Sequence, residues 1–337
     1  MKLEIMNGNE AIVKGALTGG CQFFAGYPIT PANQILEGFA NTNIKFHQME
    51  DEIASINAAI GASLAGLKSM TATSGPGFSL MQEAIGYGHM IEIPLVIVDV
   101  QRVGPATGMP TKPSQGDVMQ SQFGSHGDYS PLVFYPNSIE ELYKFTIKAF
   151  NCAEKARMPV TLLSDAFLAN LYETVDLSKK FKIEPRKKIP LGKKRRHITG
   201  LAHEKNSPKP QNPKQYQSFI DRIFKKTFVI AKENIDYEFY GNKESDTLIV
   251  CYGCVSRFLS DFEKDYAFFR PIRLWPFLKK ELGTLGQKYK HVFVIEMNNG
   301  QYKREVERVI RKSLHFIPVL GGEIDIPDIK KRIEKLR

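Results

Sequence analysis

Two apolar periods, one of about two residues and one of about 3.6, take turns along this chain. Leu95-Val96-Ile97-Val98-Asp99-Val100 is almost continuously apolar, the pattern of a strand buried on both faces. Asn7-Gly8-Asn9-Glu10 has the polar residues of a helix start ahead of 11–18, and Gly19-Gly20 closes that segment. Short strands are predicted at 21–25, 44–48, 68–73 and 159–164, with helices at 52–67, 77–91 and 140–155. Pro31 suits the first turn of the helix after the first strand, where its missing N–H costs nothing. Strands alternating with helices imply a parallel α/β sheet with right-handed crossovers.

The alternation stops over 176–240, which contain a basic run and the stretch Asn206-Ser207-Pro208-Lys209-Pro210-Gln211-Asn212-Pro213. Only 215–231 reads as a helix there. The pattern then returns, with strands predicted at 247–252, 270–274, 292–297 and 315–320 and helices at 255–266, 278–289, 302–312 and 326–335. The expectation is two α/β domains, 1–175 and a smaller 241–337, separated by an excursion at 176–240 with little core of its own. No sequence repeat of fixed period is visible.

Composition changes this picture little. The 337 residues have the hydrophobic and charged fractions of an ordinary globular protein. No apolar run approaches the ~20 residues of a membrane helix, and Met1-Lys2-Leu3-Glu4-Ile5 lacks the pattern of a signal peptide. Cys21, Cys152, Cys251 and Cys254 are too scattered for a disulfide framework, so a reducing, cytoplasmic setting is expected. Cys251-Tyr252-Gly253-Cys254 has redox-motif spacing, but one pair cannot hold an iron–sulfur cluster. Both thiols are read as structural.

The net charge of +10 is concentrated rather than spread. Residues 179–196 hold ten Lys and Arg side chains against Glu184 alone, a net of nine. A basic connector is most often solvated or docked on a neighbour. The sharper readings are the phosphates of coenzyme A or an acidic electron carrier steered by charge. Nucleic acid is disfavoured, because no zinc finger, RNA-recognition motif or aromatic interleaving accompanies the charge.

Three segments carry candidate chemistry. Tyr27-Pro28-Ile29-Thr30-Pro31 follows the first strand, at the sheet edge where open α/β folds bind ligands. Met49-Glu50-Asp51-Glu52 opens a helix of small residues, where acidic groups gain from the helix dipole. Thr73-Ser74-Gly75-Pro76-Gly77 is a strand-to-helix turn that lacks the Lys-Ser/Thr ending of a P-loop. Later come Arg102, in Asp99-Val100-Gln101-Arg102, and an ordered loop over 104–116 at the same edge.

In this order the three segments resemble the pyrimidine-binding domain of thiamine diphosphate enzymes. Tyr-Pro-Ile-Thr-Pro is similar to one branch, the alpha subunits of 2-oxoacid:ferredoxin oxidoreductases. Leu274-Trp275-Pro276-Phe277, Glu296-Met297-Asn298-Asn299-Gly300-Gln301 and Thr199-Gly200-Leu201-Ala202-His203-Glu204-Lys205 resemble the 2-oxoglutarate type, so the likeness spans nearly the whole chain. It implies a pyrimidine-type parallel-sheet domain followed by a transketolase C-terminal-like α/β domain. It implies that a buried Glu52 carboxyl hydrogen-bonds the aminopyrimidine ring and favours its imino tautomer, with Glu50 and Asp51 as fallbacks. Thr30 and Arg102 would contact the 2-oxoacid, Arg102 through its planar fork. Tyr27, Pro28, Ile29, Thr73, Ser74, Gly75 and Gly77 would line the coenzyme site. Gly116-Asp117 lacks the third glycine and the downstream asparagine of the magnesium–diphosphate motif.

The diphosphate, Mg2+ and [4Fe-4S] clusters are therefore expected in partner subunits: a beta subunit and, in some assemblies, gamma and delta subunits. Thiamine diphosphate would be shared with the beta subunit, coenzyme A and ferredoxin would be co-substrates, and this chain would not turn over alone. The implied reaction is oxidative decarboxylation of a 2-oxoacid to acyl-CoA and carbon dioxide. 2-Oxoglutarate is the first choice of substrate and a branched-chain acid such as 2-oxoisovalerate the second. A split subunit of another thiamine enzyme, or a non-catalytic scaffold of the same fold, are the other readings. Glu52, Thr30 and Arg102 standing together argue against the scaffold.

Overall fold

The computed structural model describes residues 2–188, 197–204, 207–209 and 211–337. A seven-stranded sheet runs in the order Arg273–Trp275, Leu132–Phe134, Pro159–Asp165, Leu95–Gln101, Ser69–Thr73, Phe23–Gly26, Lys45–Gln48. All its pairings are parallel except that of Arg273–Trp275 with Leu132–Phe134. The central strand Leu95–Gln101 is buried along its whole length, as its apolar run requires. Its side chains alternate between faces. Leu95 and Ile97 pack with Ile56, Ile60, Phe78 and Ile85 on one side; Val96, Val98 and Val100 join the larger core on the other.

A second sheet of five strands runs Tyr237–Gly241, Ala267–Pro271, Thr247–Val250, His291–Glu296, His315–Pro318. Only Tyr237–Gly241 is antiparallel in it. The larger core is continuous between the sheets, from Phe24 and Val98 to Ile249 and Val294.

Most predicted elements are present with shifted ends. The first helix, Gly8–Thr18, starts in a capping box between Asn7 and Glu10. The predicted helix at 77–91 is two helices, Gly75–Leu80 and Gln82–Met90, separated at Met81. The helix expected at 255–266 is Gly253–Phe258 and then a 3₁₀ turn, Ser260–Lys264. Pro31 does not open the helix Asn33–Ala40. It lies in the turn closed by the Ala32 N–H on the Ile29 carbonyl at 2.8 Å.

The strand expected at 270–274 is two strands in different sheets. Ala267–Pro271 belongs to the five-stranded sheet and Arg273–Trp275 to the seven-stranded one. Pro271 has no N–H to continue the ladder, and the Ile272 and Arg273 N–H groups turn to the Asp236 carbonyl at 3.0 and 2.9 Å. The chain thus crosses between sheets at residue 272. Within the 176–240 excursion, Pro213–Glu233 is a 21-residue helix that buries Phe219, Ile223, Thr227, Ile230 and Ala231. Among the described residues no helix is long and apolar enough to cross a membrane.

Candidate functional site at the carboxyl edge of the first sheet

Parallel pairing brings the carboxyl ends of Phe23–Gly26, Lys45–Gln48, Ser69–Thr73 and Leu95–Gln101 to one edge. The segments that leave these ends are 27–31, 49–52, 74–77 and 102, so the fold gathers the residues selected from sequence.

Glu52 begins the helix Glu52–Leu64, whose N-cap Asp51 accepts the Ala54 N–H at 2.7 Å. Of the three acids here, Glu50 is exposed and Asp51 is used as the cap, while Glu52 is only 4% exposed. Thr73, at the end of its strand, donates its hydroxyl to Glu52 Oε1 across 3.5 Å, a long contact. Burial raises the Glu52 carboxyl above its usual range, against the opposing effects of its own N–H, Thr73 and Arg102. Gly77 makes room for this arrangement. A Cβ on it would stand 2.1 Å from Thr73 Oγ1 and 2.3 Å from Glu52 Oε1, closer than atoms can approach. The Ser74 hydroxyl, buried at the N-cap of Gly75–Leu80, has no hydrogen-bond partner.

Arg102 leaves the end of the central strand and donates to the Thr30 carbonyl at 2.7 Å. It is therefore the backbone of Thr30 that meets Arg102. The Arg102 Nε–H is buried without a partner among the described residues. Tyr27 and Pro28 are exposed, and Ile29 is half-buried.

A cavity of about 610 Å³ opens beside this edge, lined by Gly75, Pro76, Arg102 and Asp117 on one side and by Asn298 and Gln301 on the other. Its far wall is the second sheet's loop, set by buried Glu296. That carboxylate accepts the Asn298 amide at 2.9 Å, the Tyr302 and Lys303 N–H groups at 3.1 and 3.0 Å, and the Tyr252 hydroxyl. The loop is fastened to residues 114–119. Gln115 donates to the Tyr252 carbonyl at 2.8 Å and accepts the Met297 N–H at 2.9 Å. Gln301 accepts the Met119 N–H at 2.8 Å and donates to the Gly116 carbonyl. The Glu296–Gln301 motif thus shapes a wall, and the 104–116 loop borders the cavity.

Three features were not legible in sequence. Asp99 and Asp117 meet as a buried pair below the cavity. Gln101 holds Asp117 in place by accepting its N–H at 3.0 Å. Gly77 is required by a neighbour 25 positions earlier rather than by its own backbone angle. None has a local pattern.

Cys251 and Cys254 are both buried and free. Burial raises both thiols, which disfavours the thiolate that redox chemistry needs. Among the described residues no cluster of three or more His, Cys, Asp or Glu is arranged to hold a metal. Of the basic run, Arg186 pairs with Glu154 at 2.8 Å and Lys179 with Glu140 at 2.9 Å. Lys180, Lys182, Lys187 and Lys188 are exposed. Lys193, Lys194, Arg195 and Arg196 lie outside the described residues.

Residues 14–235 match the family model for the thiamine diphosphate-binding domain of pyruvate flavodoxin/ferredoxin oxidoreductases. Residues 245–329 match that for core domain II of pyruvate:ferredoxin oxidoreductase. The chain is 43% identical to the 2-oxoglutarate synthase subunit KorA of Methanocaldococcus jannaschii, covering 98% of this chain and 99% of that one. It is 32% identical to the ketoisovalerate oxidoreductase subunit VorB of Methanothermobacter marburgensis, over 100% of this chain and 98% of the relative. The solved 2-oxoglutarate:ferredoxin oxidoreductase of Magnetococcus marinus, with 2-oxoglutarate, coenzyme A and succinyl-CoA bound, superposes with a TM-score of 0.90 at 31% identity. That match covers 99% of this chain and 65% of the solved one.

Proposed function

The chain belongs to the pyruvate flavodoxin/ferredoxin oxidoreductase family, and on that premise we propose that it is the alpha subunit of a 2-oxoglutarate synthase. The reaction is 2-oxoglutarate plus coenzyme A plus oxidised ferredoxin to succinyl-CoA, carbon dioxide and reduced ferredoxin. The observation that carries this reading is the buried Glu52 carboxyl, with Gly77 leaving it the space of a missing side chain. A carboxyl whose proton affinity burial raises suits a ring nitrogen with which it shares a proton.

Thiamine diphosphate, when bound, supplies the electron sink for decarboxylation. This chain's residues bind and orient. Glu52 holds a proton between Oε1 or Oε2 and the aminopyrimidine ring, and Thr73 fixes its carboxyl by donating to Oε1. The Gly75–Gly77 turn admits a ligand close to the backbone, and the unpartnered Ser74 hydroxyl is a free polar group beside it. Arg102 keeps one nitrogen on the Thr30 carbonyl and has its Nε–H left for a carboxylate of the 2-oxoacid. Tyr27, Pro28 and Ile29 bring the Thr30 carbonyl into place and border the site.

A beta subunit carries the diphosphate and Mg2+ ligands, and cluster-bearing subunits pass electrons to ferredoxin. The exposed lysines of the 179–196 segment face such a partner, coenzyme A or ferredoxin. The branched-chain reading has one supporting observation, the full-length likeness to the VorB subunit, at 32% against 43% identity. Dye reduction by the purified complex, with coenzyme A and a panel of 2-oxoacids, separates the two. The highest kcat/KM is expected with 2-oxoglutarate. A maximum with 2-oxoisovalerate would transfer the assignment to the branched-chain type, and no coenzyme-A-dependent turnover would overturn both.

A further inference from the structure

The acid pair Asp99–Asp117 has no part in the roles assigned above, yet it lies under the acid-binding end of the cavity. Asp99 is fully buried in the central strand, and among the described residues neither of its carboxyl oxygens receives an N–H or hydroxyl donor. What faces it is the carboxyl of Asp117. Two carboxylates in such contact cannot both stay ionised, so the pair retains a proton.

Asp117 is held from several directions. Its N–H donates to Gln101 Oε1 at 3.0 Å, and its carbonyl accepts the Ser121 N–H at 2.8 Å. Its Oδ2, buried and without a partner, lies 3.2 Å from the position a Gly75 Cβ would take. Gly75, Asp117 and Arg102 all line the same cavity. The charged groups that face Asp117 are Asp99 from the central strand and Arg102 from its end. The Gly75 turn contributes none, and Asn298, Asn299 and Gln301 of the opposite wall contribute only amides. Burial pushes Asp117 up to about 6, and burial with the charge of Asp117 pushes Asp99 well above the usual carboxylate range. At neutral pH the pair therefore carries one proton and one negative charge.

We propose that Asp99 and Asp117 are a proton-sharing positioning pair that sets the charge beside Arg102, so that engaging an anionic 2-oxoacid there draws a second proton onto the pair. The inference rests on the reading of Arg102 as the carboxylate-binding residue. An arriving carboxylate adds negative charge on the cavity side of Asp117, and in a water-poor cleft this charge is weakly screened. The pair responds by taking a proton from solvent and becoming neutral. The neutral pair then no longer competes with the substrate carboxylate for the charge of Arg102. Asp117 acts through Arg102 and touches no reacting atom, so it is a positioning residue.

The test is the pH dependence of KM in the assembled holoenzyme, using the 2-oxoacid with the highest kcat/KM. Proton uptake on binding predicts a KM that is flat below about pH 6 and rises above it by up to about tenfold per pH unit. Asp117→Asn keeps the size of the side chain but removes the carboxyl that takes up the second proton, and the rise should disappear. Should that variant fail to assemble, Asp117→Ser removes the same carboxyl with a smaller side chain and should also flatten the profile. A flat wild-type profile, or a variant that keeps the wild-type slope, overturns the inference. Arg102→Lys is run alongside and should raise KM at every pH. An unchanged KM there refutes the Arg102 reading itself, and with it the inference. A raised KM beside a flat wild-type profile refutes the proton-sharing pair alone.

Discussion

Gly77 is where a single methyl group tests the geometry of the proposed coenzyme site. In the Gly77→Ala variant, Cβ would overlap both Thr73 Oγ1 and Glu52 Oε1, and both side chains are buried. The Glu52 carboxyl must move or the turn must open, at a cost of about 1–3 kcal/mol by the scale of overpacked cores. The expected outcome is a complex that assembles but binds thiamine diphosphate at least ~10-fold more weakly, read by titration of activity with coenzyme. Unchanged coenzyme affinity would show that Glu52 does not face the ligand. The residue scale is also where sequence was most and least informative. Glu52 could be selected because its order relative to Tyr27–Pro31 and Thr73–Gly77 is a local pattern. Asp99 could not, since it reads as one polar residue in an apolar strand and its partner lies 18 positions later.

At the scale of elements, the long helix Pro213–Glu233 is tied to the first domain by a buried face, by the Thr227 hydroxyl on the Ser130 carbonyl at 2.8 Å and by the Glu92 carboxylate. Burial works against ionisation of Glu92, but hydrogen bonds from His203 and Arg222 and the charge of Lys226 outweigh it. They hold the carboxyl well below its usual range. The Lys226 ammonium lies 2.6 Å from Oε2. Because the folded value is depressed, this stabilisation is fully present above the ordinary value of 4.5 and is lost as pH falls through the depressed one. Glu92→Gln should therefore cost about 1.5–3 kcal/mol, the scale of a lost charged hydrogen bond, since Arg222 and Lys226 stay partly exposed. It should flatten the acid limb of the stability–pH curve, measured by thermal unfolding between about pH 3 and 7. Hydrogen exchange should locate the loosening in 213–233; an unchanged helix would contradict the assignment. Element types were legible because the periods are clear, whereas the breaks were not. Met81 interrupts the helices Gly75–Leu80 and Gln82–Met90 without any glycine or proline at the break. Residues 267–275 keep one β-like pattern while serving two sheets.

At the scale of the molecule, the cavity exists because the two sheets are bound together around it. The Trp275 indole N–H donates to the Val118 carbonyl at 3.0 Å, Gln115 and Gln301 fasten the facing loop, and Arg270 reaches across to Glu141 at 2.7 Å. These bonds join residues more than a hundred positions apart, so no local pattern announces them. Local patterns did announce both α/β halves, and the resemblance carried by the motifs joined them. In the assembled enzyme, this chain's Glu52 carboxyl is proposed to govern proton sharing with the coenzyme. This is tested most directly by exchange of the thiazolium hydrogen of bound thiamine diphosphate with deuterium, in complexes reconstituted with wild-type or Glu52→Gln chain. Glutamine keeps the size of the side chain and loses the shared proton. Assembly should stay intact and exchange should slow by about 100-fold or more, the scale of a lost positioned acid–base group. Exchange at the wild-type rate in the Glu52→Gln complex would contradict it.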